Sequence, residues 1–591
     1  MKNTTFFFIH QFLSLIFLMK ARVFHKASKK TLKIQKKILK NILNSNHKST
    51  LGENYNFSHI KTISGFLAKV PLANYDEYQT YIHLTSQAKK MIIAEENTLA
   101  LTGTPGINGK NHYIPLNESL SREKYITLSA WFYYVLSQFK GTKKGSYYFY
   151  QAPFFLTRND DINSKIPVRP ENNLDHFPAS FKKFINTFQS VPDVVRIIHD
   201  PFIFRYVSLI FLLKDSHISL MSISHPAFLI QLFVLLKQEF TNIIEDISQG
   251  QINDRLQVDA RVKTKILNYL TPDQDRADAL RNIFREYNQS EKNISTVYQK
   301  IWPKLRLITC QSEGLIKTYQ QYLQTLLPDI TIQDQGLFTP EGTLSIPVRK
   351  QKGQRLAVAS HFFEFIDIDN VNKQYSSGKL TTLLAHELRE KEFYKILLTN
   401  GGGLYRYELP YIVRVVKDGE KCPLIEYICH NHCCANIQGE KLYELDILRI
   451  IHNVFRQKGI KPCFYLIAPE KNKKNQDFYV LFLQFNKQQN LIDKKLVSIM
   501  ELIEKQLLNH NNYAQCRGRN QLGPLGIFLI NPNTQPVKNL LKTFQTDKQV
   551  FGHIIPSVFH NTFGLSKIFS GQLMTRMPPQ QTKTTPKKQT I

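Results

Sequence analysis

Acidic residues are missing from both ends of this sequence. Residues 1–52 contain eleven Lys/Arg and no Asp or Glu, and residues 571–591 contain four and none. The two ends therefore hold half of the formal charge of +30. Two solvated basic ends account for such a distribution; a foothold on anionic lipid or nucleic acid is the sharper alternative. No recognition motif for nucleic acid accompanies the charge, so a nucleic-acid partner is not expected. Cysteine is sparse too. Seven, an odd number scattered late in the chain, speak for free thiols in a reducing compartment, with the cytoplasm as the expected location. Nor is there a long unbroken apolar run at the N-terminus: "FFFIHQFLSLIFL" is interrupted by His10 and Gln11, which is short for a membrane span. No small-residue cleavage site follows it, so an amphipathic helix on the protein's own surface is expected. There is no internal repeat.

What is present is enough for a large globular protein. A chain of 591 residues exceeds one hydrophobic core, so two or more domains are expected. "KASKKTLKIQKKILKNILNS" (26–45) has apolar residues at helical spacing with lysines between them. Residues 202–214 and 226–237 are strongly apolar and expected to be buried. "SEGLIKTYQQYLQTLLPD" (312–329) places Ile316, Tyr319, Leu323, Leu326 and Leu327 on one helical face. From about residue 430 the texture changes to helix (441–458), strands (463–469 and 477–485), helix (491–508) and strand (525–531). That order suits a small split-βαβ sandwich. The expected organisation is an apolar, basic segment at 1–25, a large domain at 26–430, a small domain at 431–570 and a disordered basic tail at 571–591.

"LTGTPGINGKNHYIP" (101–115) poses the functional question. Its glycines let backbone N–H groups converge on an anion while threonines add donors. It is not a Walker loop, and alone it reads as a plain turn before it reads as a phosphate loop. The motifs that follow it in order alter that reading: "IWPKLRLITCQSEGLIKTYQQYL" (301–323), "LFTPEGTLSIP" (337–347), "HFFEFI" (361–366), "GGLYRYELPYIVRV" (402–415) and "GEKLYE" (439–444). Together they resemble the acyl-acid amido synthetases, the auxin-responsive Gretchen Hagen family with bacterial relatives, a branch of the adenylate-forming superfamily. "FFEF" and "GLYRY" are the most specific pieces.

The resemblance implies an α/β adenylate-forming fold, with a large N-terminal domain and a small, mobile C-terminal α/β sandwich hinged near 428–436. It implies ATP and Mg²⁺ as cofactors, and a carboxylic acid joined through an acyl-adenylate to an amine such as an amino acid. Thr102, Gly103 and Thr104 match the phosphate loop, and Lys110 is the displaced candidate for its lysine, since His112 stands at the family's position. Glu341 matches the Mg²⁺-assisting glutamate, as a hard cation requires. Thr339, two residues earlier, is expected to bind the nucleotide with Phe338. Leu337 occupies the place of the adenine-stacking aromatic, which Phe338 fills only if the loop is shifted. Tyr405 and Arg406 are expected to line the nucleotide side.

Three positions depart from the family pattern. Tyr411 stands where an aspartate binds the ribose hydroxyls, and a phenol offers no bidentate charged acceptor. Ile554 stands where a C-terminal lysine is usual, and His112 is the third. An active synthetase is the leading reading; a catalytically degenerate member acting as a binding protein is the alternative. Other candidates are weaker. Glu313 in "SEG" imitates a metal motif and is set aside as a decoy. "CHNHCC" (429–434) has zinc-ligand chemistry without the paired spacing of a closed site. Glu364 is either a site residue or a buried, paired one.

Overall fold

The computed structural model describes residues 2–105, 111–154, 162–289, 294–314, 316–348, 351–370, 381–417, 422–431, 433–486, 493–544, 558–559 and 562–575. They divide into two compact units, one up to His430 and one from Asn431 onward.

The first unit begins with two helices, α1 (Lys2–Ser28) and α2 (Thr31–Ser45). Phe17, Ala21, Phe24 and Ala27 of α1 recur at helical spacing and are buried. Phe17 sits 5.2 Å from the ring of Phe132 and 5.1 Å from that of Phe181. On α2, buried Gln35 donates to the carbonyls of Val358 (2.9 Å) and His361 (2.6 Å) and accepts from the Phe363 N–H (2.8 Å). One amide thus ties α2 to the start of the "FFEF" strand. The helix Tyr75–Ser86 opens on a capping box between Asn74 and Glu77, which satisfies N–H groups left free at a helix start.

The described residues on either side of the glycine loop, 100–105 and 111–116, form a strand pair. β1 (Ala100–Pro105) runs antiparallel to β2 (Asn111–Leu116), with Thr102 opposite Ile114 and Thr104 opposite His112. Next come β3 (Ser146–Phe149), β4 (Val168–Pro170), which pairs with β1, β5 (Ile218–Ser222), β6 (Leu307–Cys310) and β7 (Thr331–Asp334). Strands β3, β5, β6 and β7 form a parallel sheet in that order. The apolar helices Pro201–Lys214 and Pro226–Gln249 are largely buried in the same unit, as both-faces-covered parallel sheets require. The second of these is long and apolar enough to cross a membrane, yet most of it lies inside the fold.

A seven-stranded antiparallel sheet completes the unit: β8 (Ser345–Pro347), β9 (Gln354–Leu356), β10 (Phe362–Asp367), β11 (Leu383–Leu384), β12 (Phe393–Thr399), β13 (Tyr407–Lys417) and β14 (Leu424–His430). Its spatial order is β11-β10-β12-β13-β14-β9-β8.

The second unit has helices Glu444–Lys458 and Asp493–Leu507 and a four-stranded sheet, including strands at Phe464–Lys471, Asp477–Gln484 and Gly526–Ile530. These lie within a few residues of the expected elements. The tail differs from expectation at its start. Gly571–Met574 is an edge strand paired with Gly526–Ile530, Met574 lying opposite Ile527. Four residues are too few for a periodic signal. The closeness of the backbones at Gly571 needs a glycine, since a Cβ there would lie 2.3 Å from the Leu529 carbonyl oxygen. All seven cysteines are free thiols.

Candidate functional site

The site is assembled around the helix Glu118–Gln138. Asn117 caps it, accepting from the Leu120 N–H (2.9 Å) and donating to the Gly401 carbonyl (3.1 Å). One turn in, Glu123 and Lys124 engage two different loops. Glu123 accepts the Gly401 N–H (2.9 Å), and its other oxygen lies 3.0 Å from Nδ1 of buried His361. Lys124 is buried, with Nζ 2.6 Å from Glu171 and donating to the Thr339 carbonyl at 2.9 Å. Nε2 of buried His176 lies 2.8 Å from the same Glu171 oxygen.

Charge balance governs this triad. Burial alone would raise Glu171, but the charges of Lys124 and His176 outweigh it and hold the carboxyl down to about 2. His176 is pushed below its ordinary value, first by burial and then by Lys124.

Above Lys124, Thr339 to Gly342 form a tight turn, with Thr339 N–H and Gly342 C=O 3.0 Å apart and Gly342 N–H and Thr339 C=O 3.2 Å apart. The Thr339 hydroxyl also donates to the Gly342 carbonyl at 3.0 Å. Asn400 donates to the Glu341 carbonyl (2.8 Å), so the turn is held from two sides. Gly342 is required here, because a Cβ would come within 2.8 Å of His361 Nε2. Glu341 itself is buried, and no described residue hydrogen-bonds its Oε2. Its pKa is raised, mainly by burial. Burial, then the charge of Glu341, keeps Tyr411 and Tyr407 well above the ordinary tyrosine value, so both are neutral phenols. Glu341 and Tyr411, distant in sequence, therefore share one neighbourhood.

A cavity of about 40 Å³ adjoins Tyr411, with Leu337, Glu313, Asp334, Gln354 and Tyr427 in its lining. Leu337 and Tyr411 are the two positions expected to meet the base and the ribose. Glu313, set aside above, belongs with them: the helix starts only at Ile316, leaving Glu313 in the preceding loop. Its carboxylate accepts the Tyr427 N–H, while Asp334 accepts from Ser312 N–H (3.1 Å) and from Gln354. Burial raises both carboxyls, and the charge of Asp334 raises Glu313 further.

Other expected residues are placed differently. Arg406 is buried, and its N–H groups are taken by Glu364, Thr382 and the carbonyls of Leu67 and Val70. Tyr405 is buried too, its hydroxyl donating to the Ile93 carbonyl at 2.8 Å. Both side chains are engaged by the core. Glu364 takes the structural of its two readings. Phe338 packs edge-on against Trp131, with ring centroids 5.8 Å apart. Trp131 in turn lines a small cavity with Phe132, Phe149 and Phe177 on one side and Asn172, Ser224 and Gln335 among its polar residues. Thr102 is buried within β1, and Gly103 pairs with Tyr113. Thr104 ends up beside them in the same strand, whereas Lys110 and Ile554 lie outside the described residues. His112 stacks on Tyr75 at 3.8 Å, nearly parallel. His430 rests 5.1 Å from the Tyr411 ring, and His432 is outside the described residues.

Lys124, Glu171 and His176 were missed by sequence reasoning, and no local pattern sets them apart from other charged residues. Glu313 did have a signal, the quoted "SEG".

Comparison with known proteins identifies the family. Residues 20–332 match the model of the GH3 family N-terminal domain, and residues 355–430 match the GH3 family central domain. The chain belongs to the GH3 family. Among curated GH3 relatives, the indole-3-acetic acid-amido synthetase GH3.4 of Arabidopsis thaliana is 22% identical over 527 residues, covering 85% of each chain. The jasmonoyl–L-amino acid synthetase JAR6 of Nicotiana attenuata is 22% identical over 444 residues, covering 72% of this chain and 73% of its own. The solved structure of the AtGH3.15 acyl acid amido synthetase in complex with 2,4-DB superposes with a TM-score of 0.73 at 16% identity, covering 95% of this chain and 97% of that one. This GH3 protein thus has the adenylate-forming α/β fold that its motifs led us to expect.

Proposed function

We propose that this GH3 protein is an ATP-dependent acyl-acid amido synthetase. The observation that carries the reading is the buried Glu341 carboxyl near Tyr411, with Oε2 unengaged by any described residue. Such an oxygen suits a hard dication, and Mg²⁺ is commonly held by one or two carboxylates together with substrate phosphates. Glu341 would hold the ion, which supplies neutralisation of phosphate charge. The relatives' names supply the substrate classes, an acyl acid and an amino acid.

In the first half-reaction an oxygen of the acid bonds the α-phosphorus of ATP while the bond to pyrophosphate breaks. In the second, the amine nitrogen bonds the acyl carbon and loses a proton, and AMP leaves with the former carboxyl oxygen. The protein's part is positioning and exclusion of water. Lys124 fixes the Thr339 carbonyl and so the turn that holds Glu341. Seven free thiols suit a reducing compartment such as the cytoplasm.

Titration calorimetry with ATP, with and without Mg²⁺, tests the proposal, followed by pyrophosphate exchange across a panel of carboxylic acids. Micromolar, Mg²⁺-dependent binding that Glu341→Gln abolishes at unchanged melting temperature is the expected result. Absence of binding at millimolar ATP would sink it.

A second reading, a degenerate member that binds a partner or a small acid without adenylation, is favoured by one specific feature. The cavity beside Tyr411 has room for only a few water molecules at about 40 Å³, and a phenol replaces the family's ribose-binding carboxylate there. The same calorimetry separates the two readings.

A further inference from the structure

The face of α1 turned away from the core has no role in the chemistry above. Leu15 is 64% exposed, Met19 62%, Val23 51% and Ile16 41%, four of the large exposed apolar side chains of the described structure within nine residues. Leu15, Met19 and Val23 recur every four residues, with Ile16 beside them, so they form one stripe along the helix. The opposite face is anchored: Phe17, Ala21 and Phe24 are buried, and the Phe17 ring packs among Phe132, Phe177 and Phe181. The stripe is therefore presented by a helix fixed to the domain.

Cations border it. Arg22 and Lys26 follow Met19 and Val23 by three residues, along one edge of the stripe, and both are exposed. Lys20 lies on the other edge, over the Tyr125 ring at 5.4 Å. Beyond Ser28, Lys29, Lys30, Lys33, Lys36, Lys37 and Lys40 are exposed as well. Among the described residues none of these takes part in an ion pair, and residues 1–52 contain no acid that could supply one locally. His25 is held below its ordinary value, first by burial and then by Lys29 and Arg355, which fits a locally positive surface.

We propose that α1 is a docking surface for an anionic lipid bilayer, lying in the interface with Leu15, Ile16, Met19 and Val23 among the acyl chains. An apolar stripe flanked by basic residues, on a helix parallel to the surface, is the pattern of interfacial helices. Charge complementarity selects the occupant. A second copy would bring two acid-free basic faces together, and a nucleic acid would leave the apolar stripe unmatched. The contact keeps the domain at the surface without a membrane-spanning segment.

The test uses the full chain in vesicle co-sedimentation, with phosphatidylcholine alone and with phosphatidylcholine mixed with phosphatidylserine. Binding to the mixed vesicles is expected, falling with added salt, and little or no binding to the neutral ones. Arg22→Gln and Lys26→Gln should each weaken binding to the mixed vesicles about fivefold, the worth of one charge near an anionic surface. The double variant Met19→Ser with Val23→Ser should reduce it further at constant charge. All three variants alter exposed residues, so an unchanged melting temperature reports an intact fold. Equal binding to both vesicle types, no binding to either, or variants that bind like the wild type would overturn the proposal. So would a wild-type dimer in size-exclusion chromatography that the Met19/Val23 variant breaks, which would assign the stripe to a second copy.

Discussion

Arg406 closes a fork on Glu364, with Nη2 2.8 Å from Oε2 and Nε 3.1 Å from both carboxylate oxygens. Its remaining N–H groups reach the carbonyls of Leu67 (2.9 Å) and Val70 (2.8 Å) and the hydroxyl of Thr382 (3.3 Å). The two most specific motifs in the sequence, "FFEF" and "GLYRY", are thus bound to each other inside the core. Five donors in a fixed plane also explain why Arg406 holds a left-handed backbone, φ +48°, that an ordinary residue would leave.

Removing one partner would leave a buried charge. Arg406→Ala should lower the unfolding free energy by about 3–5 kcal/mol. Arg406→Lys, lacking the fork, should lose most of that amount as well. Urea denaturation checks both, and pairing Arg406→Ala with Glu364→Gln should recover part of the loss.

The Lys124–Glu171 pair predicts an acid-sensitive term in stability. Glu171 is held at about 2 in the fold, below its ordinary 4.5. Its contribution is therefore present above the unfolded value and lost as pH falls toward the folded one. The melting temperature of Glu171→Gln should sit well below wild type at pH 7, and the gap should narrow below pH 4.5. A gap independent of pH would argue against the charge assignment.

Glu313 and Asp334 predict the opposite slope. Burial raises both above their ordinary values, so the fold is favoured by their protonation. That stability is present below the unfolded value and is lost as pH rises through the folded one. Wild type should lose melting temperature on going from pH 5 toward neutrality, and Glu313→Gln should lose less. Differential scanning calorimetry across that range is the measurement.

Tyr411 offers a gain-of-function test. Tyr411→Asp restores a charged acceptor at the expected ribose position, worth about 1.5–3 kcal/mol, or one to two decades in affinity. Calorimetry should record tighter ATP binding in the variant. Unchanged affinity would mean that the ribose does not meet this residue.

Much of the architecture was legible in the chain. The helix–strand–strand–helix–strand run after residue 430 emerged within a few residues of expectation, because each element has its own apolar period and its own turn residues. The edge strand Gly571–Met574 was missed: its pairing comes from backbone bonds to the distant strand Gly526–Ile530, which no local pattern announces.

At the site, the order of residue types along the chain marks the family motifs, and with them Glu341, Leu337 and Tyr411 as candidates. Tertiary structure alone decided which charges meet. Lys124 reaches Glu171 and Thr339 across 47 and 215 residues of chain, Arg406 pairs with Glu364, and Glu313 joins Asp334 beside Tyr411. The physical reason is burial. A charged side chain reads the same in a sequence whether solvated or enclosed, and only the packed fold removes the water that would otherwise be its partner.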